Sequence, residues 1–114
     1  MTFETNSRVN ITELQLSAGQ TQIFTDFRSY TPCAIAVHPS PGATVYVSLS
    51  LSTTARLKAG TALFVQAGIG DAGLAPDGIP AGIVTVADGL EMLAPASAVR
   101  FVCVGGTAIV ELVQ

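Results

Sequence analysis

The sequence predicts an all-β domain, a small antiparallel β-sandwich of jelly-roll or immunoglobulin-like connectivity with about eight strands. Three observations predict it. Apolar and polar residues alternate with period two in several short runs, and clusters of Gly, Pro and Ser separate those runs. No three-and-four periodicity holds over a useful length. The chain's 114 residues suit a single core. The Trp between two cysteines that marks immunoglobulin domains is impossible here, because there is no Trp.

The elements follow in order. Residues 1–7, MTFETNS, are polar and lack a core pattern, so they read as an extended N-terminal arm ahead of a domain spanning 8–114. Arg8 to Leu16 alternates Val9 and Ile11 against Asn10 and Thr12, then shifts so that Leu14 and Leu16 share a face. That shift predicts a bulge or break near Glu13. Ala18-Gly19-Gln20 reads as a turn, Thr21 to Phe24 as a strand, and Thr25 to Thr31 as an irregular crossing before Pro32. CAIAVH and TVYVSLSL flank Pro39-Ser40-Pro41-Gly42-Ala43 and read as a hairpin. Its second strand turns Val45, Val47, Leu49 and Leu51 one way and Thr44, Tyr46, Ser48 and Ser50 the other.

Ala62 to Gln66, Ile83 to Val86 and Leu90 to Leu93 read as short strands. Between the first two lies AGIGDAGLAPDGIPAG, whose Gly, Pro, Asp and Ala content predicts a loop with neither helix nor regular ladder. A loop of that length reads equally as a site of binding or subunit contact and as a mobile surface connection. At the C-terminus, AVRFVCV and TAIVELV flank Gly105-Gly106, a pair suited to a two-residue hairpin turn. That hairpin would set Val104 opposite Thr107 and Arg100 opposite Glu111. One face would then carry Val99, Phe101, Cys103, Ala108, Val110 and Leu112 as the core side. The other would carry Val102, Val104, Ile109 and Val113, more apolar than a water-facing side should be.

Hydrophobic residues make up 49% of the chain and charged residues only 11%, against about 25% in ordinary soluble domains. So sparse a charge suggests a surface covered by a partner or by copies of the chain. The net charge of −3 and the scattered basic residues argue against a nucleic-acid groove. Mean hydropathy is +0.55, but the most apolar stretch, Ala98 to Val113, holds Arg100, Gly105, Gly106 and Glu111, so no membrane span is expected. No secretory leader is visible, so synthesis in a cytoplasm and two buried free thiols, Cys33 and Cys103, are expected.

The residue pattern supplies no catalytic set, cofactor site or metal site. His38, the single histidine, precedes Pro39 and has no nucleophile turn beside it. Asp71 and Asp77 lack the alternating acidic positions and closing Glu of a calcium loop. GIGDAG lacks the third Gly and the following helix of a dinucleotide site. Asp88 and Glu91 read as solvated turn carboxylates, and neither Cys has a partner at zinc-ligand spacing.

The segment LAPASAVRFVCVGGTAIVELVQ resembles the ending of many small tailed-bacteriophage virion proteins, in which an Ala-hydrophobic-Arg strand runs into a Gly-Gly or Gly-Thr hairpin and a last apolar strand. ARLKAGTALFVQAG is similar to the middle of the same proteins. The resemblance implies a head decoration (cement) protein on the outer capsid surface of the virion. It implies a major capsid (coat) protein partner and a homo-oligomer, dimer or trimer. A tail, fibre or carbohydrate-binding module is the alternative; the absence of Trp and a tyrosine content of Tyr30 and Tyr46 alone disfavour carbohydrate binding and leave tail or fibre roles open. The expected contact residues are Thr2, Phe3 and Glu4 on the arm, then Ile69, Asp71, Leu74, Asp77 and Ile79 in the loop. Val102 and Ile109 on the outer face of the C-terminal strands complete the set.

Overall fold

Inward-facing side chains at every second position need a second sheet to cover them, and the chain supplies it by sending successive strands to opposite layers. The computed structural model describes residues 11–28, 31–92 and 96–114. The N-terminal arm with Thr2, Phe3 and Glu4, the start of the first expected strand, Tyr30 and Leu93 lie outside them. In chain order the strands are β1 (Ile11–Leu16), β2 (Thr21–Phe24), β3 (Cys33–Pro39), β4 (Thr44–Ser50) and β5 (Phe64–Gln66). Then come β6 (Asp71–Leu74), β7 (Pro80–Val84), β8 (Asp88–Met92), β9 (Ala98–Val104) and β10 (Ala108–Val113). One short helix, α1 (Thr54–Ala59), links β4 to β5.

Sheet A has the order β1-β10-β3-β8, and sheet B the order β2-β9-β4-β7-β6 with β5 also on β4. Every pairing is antiparallel. The pairs nest, β1 beside β10, β2 beside β9, β3 beside β8 and β4 beside β7. That is one long antiparallel ribbon rolled up so that consecutive strands alternate between layers, which is the jelly-roll arrangement. β5 and β6 are additions to the connection between β4 and β7.

The core is the set of inward rows. Val99, Phe101, Cys103, Ala108, Val110 and Leu112 are all at most 3% exposed, as the alternation requires. Ile35, Val37, Val45 and Val47 face them from β3 and β4. Cys33 and Cys103 are buried free thiols, and burial raises the pKa of both. A thiol kept protonated in an apolar core is unreactive.

Both expected hairpins are absent, for one reason. β9 belongs to sheet B and β10 to sheet A, and β3 and β4 are divided in the same way. The turns at Pro39–Ala43 and Gly105-Gly106 are therefore arches across the sandwich. The two arches stack at one end, where Ser40 N donates to Thr107 O at 2.8 Å and Thr107 N to Ser40 Oγ at 3.1 Å. Gly105 takes φ +79°, and a Cβ on Gly106 would lie 2.8 Å from Ser40 Oγ. An arch puts the same side chains into the core as a hairpin would. Only the partners differ, so Arg100 is not opposite Glu111.

Three further expectations are revised. β1 pairs with β10 without interruption from Ile11↔Val113 to Leu16↔Ala108, so there is no bulge at Glu13. Thr12, Leu14 and Leu16 form its inward row and Ile11 faces out, 60% exposed. The segment from Ala67 to Gly82 is ordered, with β6 and β7 paired from Asp71↔Ile83 to Leu74↔Pro80 around a tight turn. Ala75 N donates to Ile79 O at 2.8 Å and Gly78 N to Ala75 O at 2.9 Å in that turn. The expected strand at Ile83 to Val86 accordingly starts earlier, at Pro80. Finally, no helix was expected at 54–59, where α1 forms, capped by Thr53, which accepts from Arg56 N, and closed by Gly60 at φ 73°.

Gly82 is where a side chain would be least tolerable. A Cβ there would stand 2.0 Å from Ile69 O and 2.9 Å from Ala67 O, both backbone atoms of the strand-to-strand link crossing beneath β7. Gly82→Ala is expected to cost about 3 kcal/mol or more in urea unfolding, because backbone must move. Phe101→Ala, which empties the largest fully buried side-chain site, is expected to cost about 3–5 kcal/mol by the same measurement.

Candidate functional site: interaction surfaces

Three surfaces carry the side chains that the core does not use. The first is the outer face of sheet B, where Val102 lies between Thr21 and Tyr46 and Arg100 between Ile23 and Ser48. A water-facing Arg is unremarkable, but this one is only 8% exposed. The turn between β6 and β7 covers it, with Asp77 at the tip forming a two-pronged ion pair to its guanidinium, one prong at 3.5 Å from Nη1 to Oδ1. Ser48, 1% exposed, donates from Oγ to Pro80 O at 2.6 Å at the base of the same turn. The turn thus folds over β4 to reach β9, latched by charge at its tip and by a hydroxyl at its root.

Partial desolvation raises the Asp77 carboxyl, while the Arg100 guanidinium and the Ile79 amide lower it more, leaving it below its ordinary value. The buried Arg100 side chain depends on this contact more than the half-exposed Asp77 does.

The second surface is the outer face of sheet A. Its rows across the strands are Ile11, Val113, Ala34 and Glu91, then Glu13, Glu111, Ala36 and Gly89, then Gln15, Ile109 and His38. Ala34, Ala36 and Gly89 are small, and between the taller Glu91, Glu111 and Val113 they leave a trough of about 470 Å³. Glu13 and Glu111 sit directly opposite each other, an arrangement that like charges disfavour. Gln15 Nε2 donates to Glu13 at 3.3 Å, and His38 Nε2 lies 2.7 Å from Glu111 Oε1, each giving a carboxylate a partner.

The third surface is an overhang. Val65 pairs with Leu49, whose row faces inward, and Leu51 and Leu63 flank that pair just beyond the strand ends. They should be covered, yet Leu51 is 81%, Leu63 66% and Val65 58% exposed. The three line one patch at this corner, with nothing among the described residues covering them. Ser52 Oγ accepts from Leu63 N at 2.8 Å and fixes the patch, and Arg56 of α1 borders it.

The expected contact residues among those described do not come together on one surface. Ile69 is 3% exposed and belongs to the core cluster. Asp71 and the 61% exposed Leu74 lie on the edge strand β6, Ile79 is half-buried in the turn, and Asp77 is held by Arg100. Val102 is 8% exposed on sheet B, while Ile109 is 41% exposed on sheet A, so the two do not share a face. Sequence reasoning missed the overhang, whose alternating pattern looks like ordinary core. Asp88 accepts from Gly70 N at 3.0 Å and Gly89 N at 2.8 Å and so ties β8 to the start of β6.

Among the described residues no group of three or more His, Cys, Asp or Glu side chains is placed to hold a metal ion. No helix among them is long and apolar enough to cross a membrane. Comparison with protein-family models, curated proteins and solved structures finds no match.

The latch makes a pH-dependent prediction. A folded-state pKa below the unfolded value of about 3.9 contributes stability that is fully present above that value and is lost as pH falls through the folded one. At neutral pH, Asp77→Asn is expected to lower the unfolding free energy by about 1–2 kcal/mol. The gap to the wild type should close as pH drops below about 4. A gap that persists unchanged in acid would mean that the ion pair is not its source.

Proposed function

We propose that this chain is a non-enzymatic structural protein of a virion, a capsid decoration or cement protein that binds the outer coat surface as a homo-oligomer and stabilises contacts between coat subunits. The observation that supports this reading is the distribution of exposed apolar side chains. Leu51, Leu63 and Val65 gather on one corner, and Ile11 and Ile109 on the outer face of sheet A, in a chain with few charges. Surfaces of that kind suit docking against protein. The jelly roll is compatible with the reading, although the same fold serves capsid and lectin domains alike.

Physically, a clamp that binds only the assembled shell stabilises it by mass action, and repeated weak contacts act together through their effective concentration. The test is a reconstruction of the intact virion whose genome encodes the chain. Density for the jelly roll on the shell exterior, across coat-subunit boundaries, is the expected result. Density confined to the tail, or glycan binding with no particle association, overturns the assignment.

A further inference from the structure

We infer that two copies of this chain dock face to face, with the overhang of each seated on the sheet A trough of the other. The inference specifies the homo-oligomer in the proposed function and does not require the shell.

Direction is the first argument. Val65 pairs with Leu49, which packs against the core, so Val65 points toward the side on which sheet A lies, and Leu51 and Leu63 line one exposed patch with it. The outer face of sheet A points the same way. The two surfaces therefore look in one direction from different heights, separated by roughly one sheet layer, about 10 Å. A step of that form is complementary to itself. Rotation about a two-fold axis parallel to the sheets lays the thick part of one copy on the thin part of the other, twice over, in a closed isologous dimer.

Shape and charge then select this pairing over the alternatives. The overhang presents large apolar side chains, and the trough is a depression floored by Ala34, Ala36 and Gly89. Arg56 borders the overhang, and α1 carries Arg56 and Lys58 with no acid in its first turn. Glu91 and Glu111 flank the trough. A trough-to-trough dimer would set carboxylates against carboxylates, and an overhang-to-overhang dimer would set Arg56 against its own copy. Only the crossed arrangement brings Arg56 to Glu91 and apolar bulk to the depression, and charge of this kind fixes orientation more than affinity. Among the described residues the guanidinium is held by a single bond, from Nη1 to Thr61 O at 3.3 Å at the exposed surface, which leaves it able to turn.

Sedimentation equilibrium of the full chain, from about 1 to about 300 µM, tests the inference. A monomer–dimer equilibrium is expected. Leu63→Glu should weaken it about 100-fold, as for a charge forced into an apolar contact beside carboxylates. Arg56→Glu and Glu91→Arg should each weaken it about tenfold, and the double exchange should restore it to within about threefold of wild type. All three positions are exposed, so unchanged urea midpoints are expected, and the charge exchange decides the matter even if Leu63→Glu misfolds. A monomer throughout the range, a trimer, or a dimer indifferent to these substitutions overturns the inference. A monomer that still decorates shells removes the dimer alone, whereas a dimer missing from the shell exterior removes the decoration reading alone.

Discussion

Everything in this fold depends on two sheets closing over the inward rows centred on Phe101, Val110, Ile35 and Val47. The inward row of each strand needs cover that a single layer cannot give. Alternating consecutive strands between layers solves this with few edges, because each new strand both extends one sheet and covers the other. The nested pairs β1 with β10 through β4 with β7 are the record of that solution. The stacked arches at Ser40 and Thr107 follow from it, as does the confinement of Gly105 and Gly106 to a tight corner.

This constraint also explains what was legible in the sequence. Period-two alternation fixes which side chains point inward, and from β9 and β10 it identified Val99, Phe101, Cys103, Ala108, Val110 and Leu112 as core. It says nothing of which strand lies alongside. A hairpin and an arch around Gly105-Gly106 bury the same six residues, so the choice between them rests on long-range pairing that no local signal carries. The Arg100 and Glu111 pairing failed for that reason, and each residue found another partner, Asp77 for one and His38 for the other. The bulge at Glu13 failed for a simpler one. Ile11 is apolar and faces out, and an apolar residue on the outside is ordinary.

Gly and Pro content misled in the segment from Ala67 to Gly82. There the small residues serve packing. Gly73 leaves room for Ile83, and Gly82 lets backbone carbonyls of Ala67 and Ile69 pass close beneath β7. The polar tip, Pro76-Asp77-Gly78, reads as a surface turn and is one, but its carboxylate reaches over a neighbouring strand to Arg100. A buried guanidinium without that carboxylate would be costly, so the ion pair ties the added hairpin to the underlying sheet more through what its loss would expose than through attraction.

The surfaces left over show how a chain with so few ionised groups can still be selective. Leu51, Leu63 and Val65 are core-like side chains left exposed together at one corner. In the proposed dimer these core-like residues would form the interface, and being core-like they are not distinguished by composition or periodicity. Charge then does what apolar area cannot. Carboxylates border the trough and a guanidinium borders the overhang, so each surface repels its own kind and matches the other. With charge sparse elsewhere, those few groups determine orientation with little competition from the rest of the surface.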